Sequence, residues 1–467
     1  MIFSSLTFFI FFAIVLLFLR LVKSNDIKKA FLLGASCFFY GYWDYRFLVL
    51  MLAVTGANYF FGLRLHNETR PEARRGWLVA SIFFNLAILG FFKYYNFFIE
   101  SANAVLASAG IRFGLLNIIL PIGISFIIFE VISYTVDIYR KESPSVDSFF
   151  DLALLVAFFP HLIAGPILKP DHFLSQLDRE ITIRGENLNY GGQMFLVGLV
   201  KKVLIADRVA VFVDPVFKNP EVYSAGTLWL AVIAYAIQIY CDFSGYTDMA
   251  IGSARCMGFE IPQNFDLPYI SRSITEFWRR WHISLSTWLR NYLYIPLGGN
   301  RKGKIRQYLN LLIVMLLAGL WHGASWNFVV WGGLHGIALA VHKVFSDYTK
   351  GVAALASPVM AFISWAMTLL FVCTTWVFFR SSDFGTSFLI LKKMFLLMEP
   401  DGIRWYATDL FLALPMLIAA DYAATRWNAG KMLSLKNFRG LFVLFFVLLG
   451  LVFLAPQNSA PFIYFQF

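Results

Sequence analysis

Two histidines in this chain stand where an ionisable group is costly to place. His322 closes the apolar run LLIVMLLAGLWH, and His282 ends the basic and aromatic stretch EFWRRWH. An imidazole can accept or donate a proton near neutral pH, while apolar surroundings disfavour its charged form. A titratable side chain at membrane depth marks a functional site unless it is paired for structural reasons. His322 is therefore the first candidate for general acid–base chemistry. His282, beside Trp281 at the edge of an apolar stripe, reads on pattern alone as a hydrogen-bonded packing residue.

The element GLWHG at 319–323 recurs as GGLHG at 332–336, which puts His322 and His335 13 residues apart. On one helix that is roughly 220° of rotation, so the pair shares no face and is not an i, i+4 metal site. Gly323, Ala324, Ser325 and Asn327 predict a break that leaves His322 at the end of one helix and His335 inside the next. His335 and His342 read as structural or interfacial. Gln238, Asp242, Ser244, Thr247 and Asp248 interrupt an apolar stretch, and Glu130 and Asp137 fall on one helical face. Such groups must be paired or face internal water, so they either line a channel, serve as acid and base, or fasten helices together. No G-x-S-x-G, Walker, Rossmann or H-E-x-x-H pattern occurs. Cys37, Cys241, Cys256 and Cys373 show no paired spacing, which argues against a disulfide scaffold or C-x-x-C metal site.

The body that positions these residues is apolar: 59% of the chain is hydrophobic and 14% charged. A soluble domain carries about 25% charged residues, so this is a polytopic membrane protein. Apolar runs begin near Leu6, Phe47, Trp77, Leu115, Phe195, Leu228, Leu309, Val359, Leu410 and Leu441, with shorter ones between. They predict about ten to thirteen embedded segments. Basic residues follow the first run instead of preceding it, the reverse of a cleavable signal, and place the N-terminus outside. The net charge of +11 then reflects cytoplasmic loops, not nucleic-acid binding. Residues 1–467 read as one integral membrane domain, within which 271–306 is a cytoplasm-facing segment.

That segment carries eight basic residues against one acid, Glu276. Ser273 and Glu276 form a capping box that starts a helix. Phe277, Trp281, Leu285, Trp288 and Tyr292 recur at spacings of 3 and 4, predicting an interfacial helix, which Pro296, Gly298 and Gly299 end. Its charge suits an anionic donor or lipid headgroups.

The runs QIYCDFSGYTDMAIG, NFDLPYISRSITEFWRRWHISLSTWLRNYLYIPLGGNRKG and LAGLWHGASWNFVVWGGLHG resemble the membrane-bound O-acyltransferases, in the branch that acetylates bacterial exopolysaccharides. LGFFKYYNF, LPIGISFIIFEVISY, FFPHLIAGPI and KKVLIADRVA extend the resemblance over most of residues 1–380, while CTTWVFFRSSD and the final PFIYFQF are less informative. The resemblance implies an all-α ring of tilted transmembrane helices, with re-entrant and interfacial helices around a central tunnel. It implies that His322 is the hallmark catalytic histidine and His282 its upstream partner, with acetyl-CoA as donor substrate and no permanently bound cofactor or metal. An acyl-histidine intermediate is the minor alternative to general-base catalysis. The expected substrate-binding set is Arg279, Arg280, Trp281, Trp321, Asn327, Asp242, Ser244, Arg301 and Lys302. Expected partners, beyond membrane lipid, are a periplasmic SGNH-type acetyltransferase or other exopolysaccharide-modification subunits, at the bacterial inner membrane. A polysaccharide transporter or flippase, or a passive scaffold of a secretion complex, are the alternatives outside enzymology.

The topology is directly testable. Cysteines introduced at Asn67 and Asn300 are expected to resist an impermeant thiol reagent in intact cells and to react after permeabilisation. Labelling of both in intact cells inverts the assignment.

Overall fold

The computed structural model of this chain describes all residues except 144–147, 164, 350–356, 397–401, 407–412, 420–436, 456–461 and 464–467. The described residues form helices joined by turns, with a single isolated bridge between Tyr223 and Ile403 and no sheet. Two compact units divide the chain: residues 1–192 with 250–262, and residues 193–249 with 263–467.

The first unit holds α1 (Leu6–Leu21), α2 (Asn25–Gly41), α3 (Tyr45–Asn67), α4 (Pro71–Leu89), α5 (Tyr95–Leu106), α6 (Ile124–Arg140), α7 (Phe149–Ala157), α8 (Phe159–Leu162) and α9 (Pro170–Leu177). Ser5, Ser24 and Asp44 cap the first three, each side chain accepting from a free amide of the opening turn. α3, α4 and α6 are tied by polar side chains in an apolar setting: Asn58 and Asn85 exchange amide hydrogen bonds of 2.8 and 2.9 Å, and Ser81 joins them to Thr135. Glu130 and Asp137 of α6 are both buried, and Glu130 lies 3.8 Å from His161 of α8. The apolar run at Leu115 does not become a span. Its first residues are extended and exposed, and the helix begins only past Pro121 and Gly123.

α10 (Gly185–Leu199) leads by a wide π turn, Val200–Ala206, into the second unit's α11 (Asp207–Lys218). The long α12 (Ala225–Cys256) crosses this turn at two glycines. A Cβ on Gly245 would lie 2.7 Å from the Gly198 carbonyl oxygen, so only hydrogen fits there. The close crossing lets two buried lysines meet α12 aspartates. Lys201 reaches Asp248 at 2.9 Å, while Lys202 bridges Asp207 at 2.8 Å and Asp242 at 2.6 Å.

The spacing of aromatic residues after Ser273 predicts one interfacial helix, and the structure breaks it into two. α13 (Ile274–Arg280) stops at Trp281, His282 takes a left-handed φ of 45°, and α14 (Ile283–Leu289) restarts at an angle. Ser273 does cap α13, accepting from Glu276 N at 3.1 Å, but the Glu276 carboxylate accepts from Arg272 N in place of Ser273 N. Phe277, Trp281, Leu285 and Trp288 are buried within the protein, not laid on lipid. Packing of so many rings against α12 and later helices removes more apolar area from water than an interfacial stripe would.

α15 (Lys304–His322) and α16 (Trp326–Tyr348) form a hairpin with the expected break at Gly323 to Ser325. α15 carries His322 about 27 Å along its axis from Lys304, and the Lys304–Asp347 pair closes the other end at 3.6 Å. Glycines set the contact: a Cβ on Gly332 would lie 2.2 Å from the Met315 oxygen, and one on Gly319 would lie 2.1 Å from the Phe328 oxygen. α17 (Pro358–Arg380) runs back beside α16, followed by α18 (Phe384–Leu396) and, later, α19 (Phe438–Phe453). Six described helical stretches are long and apolar enough to span a bilayer, and Leu6–Leu21 and Gly440–Phe453 are shorter apolar helices. The run at Leu410 lies largely outside the described residues, as does most of the final PFIYFQF.

The hairpin contact yields a stability prediction. Gly332→Ala is expected to destabilise by about 1–3 kcal/mol through overpacking, read as an earlier thermal transition in detergent. Gly333→Ala, whose Cβ would meet only a Leu316 methyl at 3.4 Å, is expected to leave the transition near its wild-type position.

Candidate active site

The site is built around the side-chain oxygen of Asn264, a fully buried residue in the loop before α13. This oxygen accepts from Ser284 N at 3.0 Å, from Ser284 Oγ at 2.9 Å and from His282 Nδ1 at 3.3 Å. A backbone N–H can only donate, so the atom facing Ser284 N must be the amide oxygen. His282 Nδ1, bonded to that same oxygen, must then carry the imidazole hydrogen. His282 Nε2 is left as a lone-pair nitrogen, buried and with no hydrogen-bond partner among the described residues. The Asn264 carbonyl also accepts from Ile283 N at 2.9 Å, which holds the left-handed turn at His282 in place. Rings of Phe243, Trp321 and Phe265 surround the imidazole at 4.8, 5.9 and 6.5 Å. Burial in this apolar shell pushes the His282 imidazole down to about 3, so it is neutral at physiological pH.

His322 ends α15 and is 3% exposed. Its ring meets Trp321 at 5.0 Å, Trp331 at 5.1 Å and Phe379 at 5.1 Å, each near edge-on. Trp321 therefore touches both imidazoles. The histidines that the sequence singles out come from separate segments and converge on one indole, within one unit. The chemistry available is proton transfer by a neutral imidazole in an environment from which aromatic rings exclude water.

His335 behaves differently. Trp278 Nε1–H donates to His335 Nδ1 at 3.2 Å, which makes Nε2 the protonated nitrogen; it donates to Thr375 Oγ1 at 3.0 Å, and Thr375 donates to the Val372 carbonyl at 2.8 Å. Both ring nitrogens are consumed, so His335 ties α13, α16 and α17 together. His342 likewise meets Thr275 at 2.9 Å.

The other expected residues divide. Arg280 is held by Glu276 and Asp266, each at 3.0 Å. Arg279, Arg301 and Lys302 are exposed, whereas Trp281 is 1% exposed, stacked on Phe277 and packed against the tilted ring of Trp376. Asn327 is buried and donates to the Ser381 carbonyl at 3.1 Å, fixing the start of α16 to the end of α17. Asp242 is buried against Lys202, and Ser244 Oγ is buried without a hydrogen-bond partner among the described residues. Two residues at the site fall inside the quoted motifs but are not singled out by their type: Asn264, an ordinary polar residue in a loop, and Phe243, one of 51 phenylalanines.

Comparison with known proteins gives a consistent picture. Residues 139–382 match the model of the membrane-bound O-acyltransferase family. The chain is 45% identical over 401 residues to a probable alginate O-acetylase of Pseudomonas syringae pv. tomato, covering 85% of this chain and 75% of the other. It is 40% identical to a probable alginate O-acetylase of Pseudomonas putida over 100% of both chains. A peptidoglycan O-acetyltransferase of Helicobacter pylori is 39% identical, covering 80% of this chain and 74% of its own.

The satisfied His335 relay makes a contrast with His282. His335→Ala is expected to cost about 2 kcal/mol, because Trp278 and Thr375 lose their partner inside the protein. An unfolding transition in detergent that moves less than that of a surface control would contradict the structural role.

Proposed function

Since this chain belongs to the membrane-bound O-acyltransferase family and is a multi-pass O-acyltransferase, we propose that it takes acetyl from cytoplasmic acetyl-CoA and delivers it across the membrane for O-acetylation of an exopolysaccharide. The observation that carries the mechanism is the convergence of His282 and His322 on Trp321, with the proton of His282 assigned by Asn264. His322 acts as the general base. An acceptor hydroxyl oxygen attacks the thioester carbonyl carbon while the His322 imidazole takes its proton. The carbon–sulfur bond then breaks, and the proton passes to the departing thiolate, so that ester and free thiol are the products. His282 stays neutral and presents Nε2 as an acceptor that orients the hydroxyl or the His322 imidazole.

Similarity to two alginate O-acetylases and a peptidoglycan O-acetyltransferase supports an acetyl donor and a hydroxyl of a cell-envelope polymer as the eventual acceptor. Alginate-like or cellulose-like chains are the polymers of choice, modified through a periplasmic SGNH-type partner or directly. The donor's phosphates suit the exposed Arg279, Arg301 and Lys302, while Arg280 already has two carboxylates. Placing this basic face in the cytoplasm puts the protein in the inner membrane with its N-terminus outside.

The test is chemical. Purified protein is expected to consume acetyl-CoA thioester, which a flippase or scaffold would not do. His322→Ala is expected to lower that rate by about 10²- to 10⁴-fold and to abolish polymer acetylation in cells at near-normal membrane abundance. Wild-type acetylation in this variant removes His322 from the chemistry.

A further inference from the structure

His282 is tethered on one side only, by the 3.3 Å bond from Nδ1 to Asn264. A single long hydrogen bond fixes one ring atom and leaves the ring plane to be set by whatever packs against it. The nearest ring is Phe243 of α12, whose centroid is 4.8 Å away at 87°, an edge-to-face contact. The placement of Phe243 is therefore part of the placement of His282.

Phe243 is also packed by a segment remote in sequence. Phe462, with no exposed surface, lies 6.0 Å from the Phe243 ring and 4.3 Å from that of Tyr246, one turn along α12. The neighbouring main chain is fastened as well: Ile463 N–H donates to Asp242 Oδ2 at 2.7 Å. The other oxygen of Asp242 meets Lys202 Nζ at 2.6 Å, and Lys202 also meets Asp207 at 2.8 Å. A carboxylate that takes a main-chain N–H on one oxygen and an ammonium on the other is a strong, directional clasp inside a protein. Asp242 and Phe243 are adjacent, so the clasp and the wall of the site move as one piece.

We infer that Asp242 and Phe462 are positioning residues for His282: the Lys202–Asp242–Ile463 clasp seats Phe462 against Phe243, and Phe243 sets the imidazole plane. The carboxylate that interrupts the apolar stretch thus serves the site through Phe243 and not as a substrate ligand. The inference builds on the acyl-transfer role proposed for His282, and its test has a readout that does not need that role.

The full-length protein is purified in detergent as wild type, Phe462→Ala, Phe462→Leu and Asp242→Asn. His282 is treated with diethylpyrocarbonate, which attacks neutral imidazole, and its modification is followed by peptide mass spectrometry. Acetyl-CoA turnover is measured on the same preparations. Phe462→Ala is expected to modify His282 at least about threefold faster, because local opening exposes the ring. It is expected to lower kcat about tenfold with the acetyl-CoA KM within about twofold, the pattern of a lost transition-state interaction. Asp242→Asn, which keeps an oxygen for Ile463 N–H but loses the charge that Lys202 needs, is expected to move both readouts in the same directions. Added to His282→Ala, Phe462→Ala is expected to change kcat no further, since residues acting through one group are not additive. If Phe462→Ala does not fold, Phe462→Leu carries the same comparison with changes of about twofold. Folded variants with wild-type modification rates overturn the inference, as does an undiminished effect of Phe462→Ala in the His282→Ala background. Absence of turnover in the wild type refutes the proposed function, and the modification rates alone then decide the positioning claim.

Discussion

Three donors converge on one amide oxygen, and the candidate site depends on that arrangement. In an apolar body no solvent is at hand to exchange protons freely, so the location of an imidazole hydrogen is set by fixed neighbours. Asn264 does this for His282. Its oxygen is identified without ambiguity by the Ser284 amide, and the tautomer follows. The same asparagine accepts Ile283 N–H on its main chain, so the break between α13 and α14 and the chemistry of the ring share one anchor. A left-handed φ at a non-glycine residue costs about 1–3 kcal/mol, and these bonds offset it.

The two buried histidines with assigned hydrogens show how the same side chain is used in opposite ways. His335 spends both nitrogens on neighbours and closes a chain from Trp278 to Val372. His282 spends one and keeps the other as a buried acceptor facing aromatic rings. A buried polar atom without a partner costs about 1–3 kcal/mol, and this one lies in a shell of rings that includes Trp321, which also packs on His322. Several charged groups of the second unit are paired: Lys201 with Asp248, Lys202 with Asp207 and Asp242, Arg380 with Asp214.

Much of this was legible in the residues. The break after His322, the capping of α13 by Ser273 and the structural part of His335 follow from local patterns of glycine, serine and histidine spacing, and the structure contains all three. The family was readable because its motifs are long and contiguous. What was not legible depends on contacts between distant segments. A helical stripe from Phe277 to Tyr292 has the right period, yet nothing local reveals that Asn264 breaks it at His282. Asp242 reads in the sequence as a residue that lines a channel, serves as acid or base, or fastens helices together, and only the fold shows its carboxylate divided between Lys202 and Ile463. The number of true spans was not legible for a related reason: apolar runs in a protein this hydrophobic also form short buried helices, and hydropathy does not separate burial in protein from burial in lipid.

In the acyl transfer proposed above, His282 can act only while Asn264 holds its hydrogen on Nδ1. The most direct measurement is the rate at which purified Asn264→Ala protein releases free thiol from acetyl-CoA, compared with wild type at matched folded concentration. Loss of the anchor frees the tautomer and the ring together, and the account predicts a fall of about 10²-fold or more, the range for a misplaced proton-transfer group. A folded Asn264→Ala protein that releases thiol at the wild-type rate would contradict it.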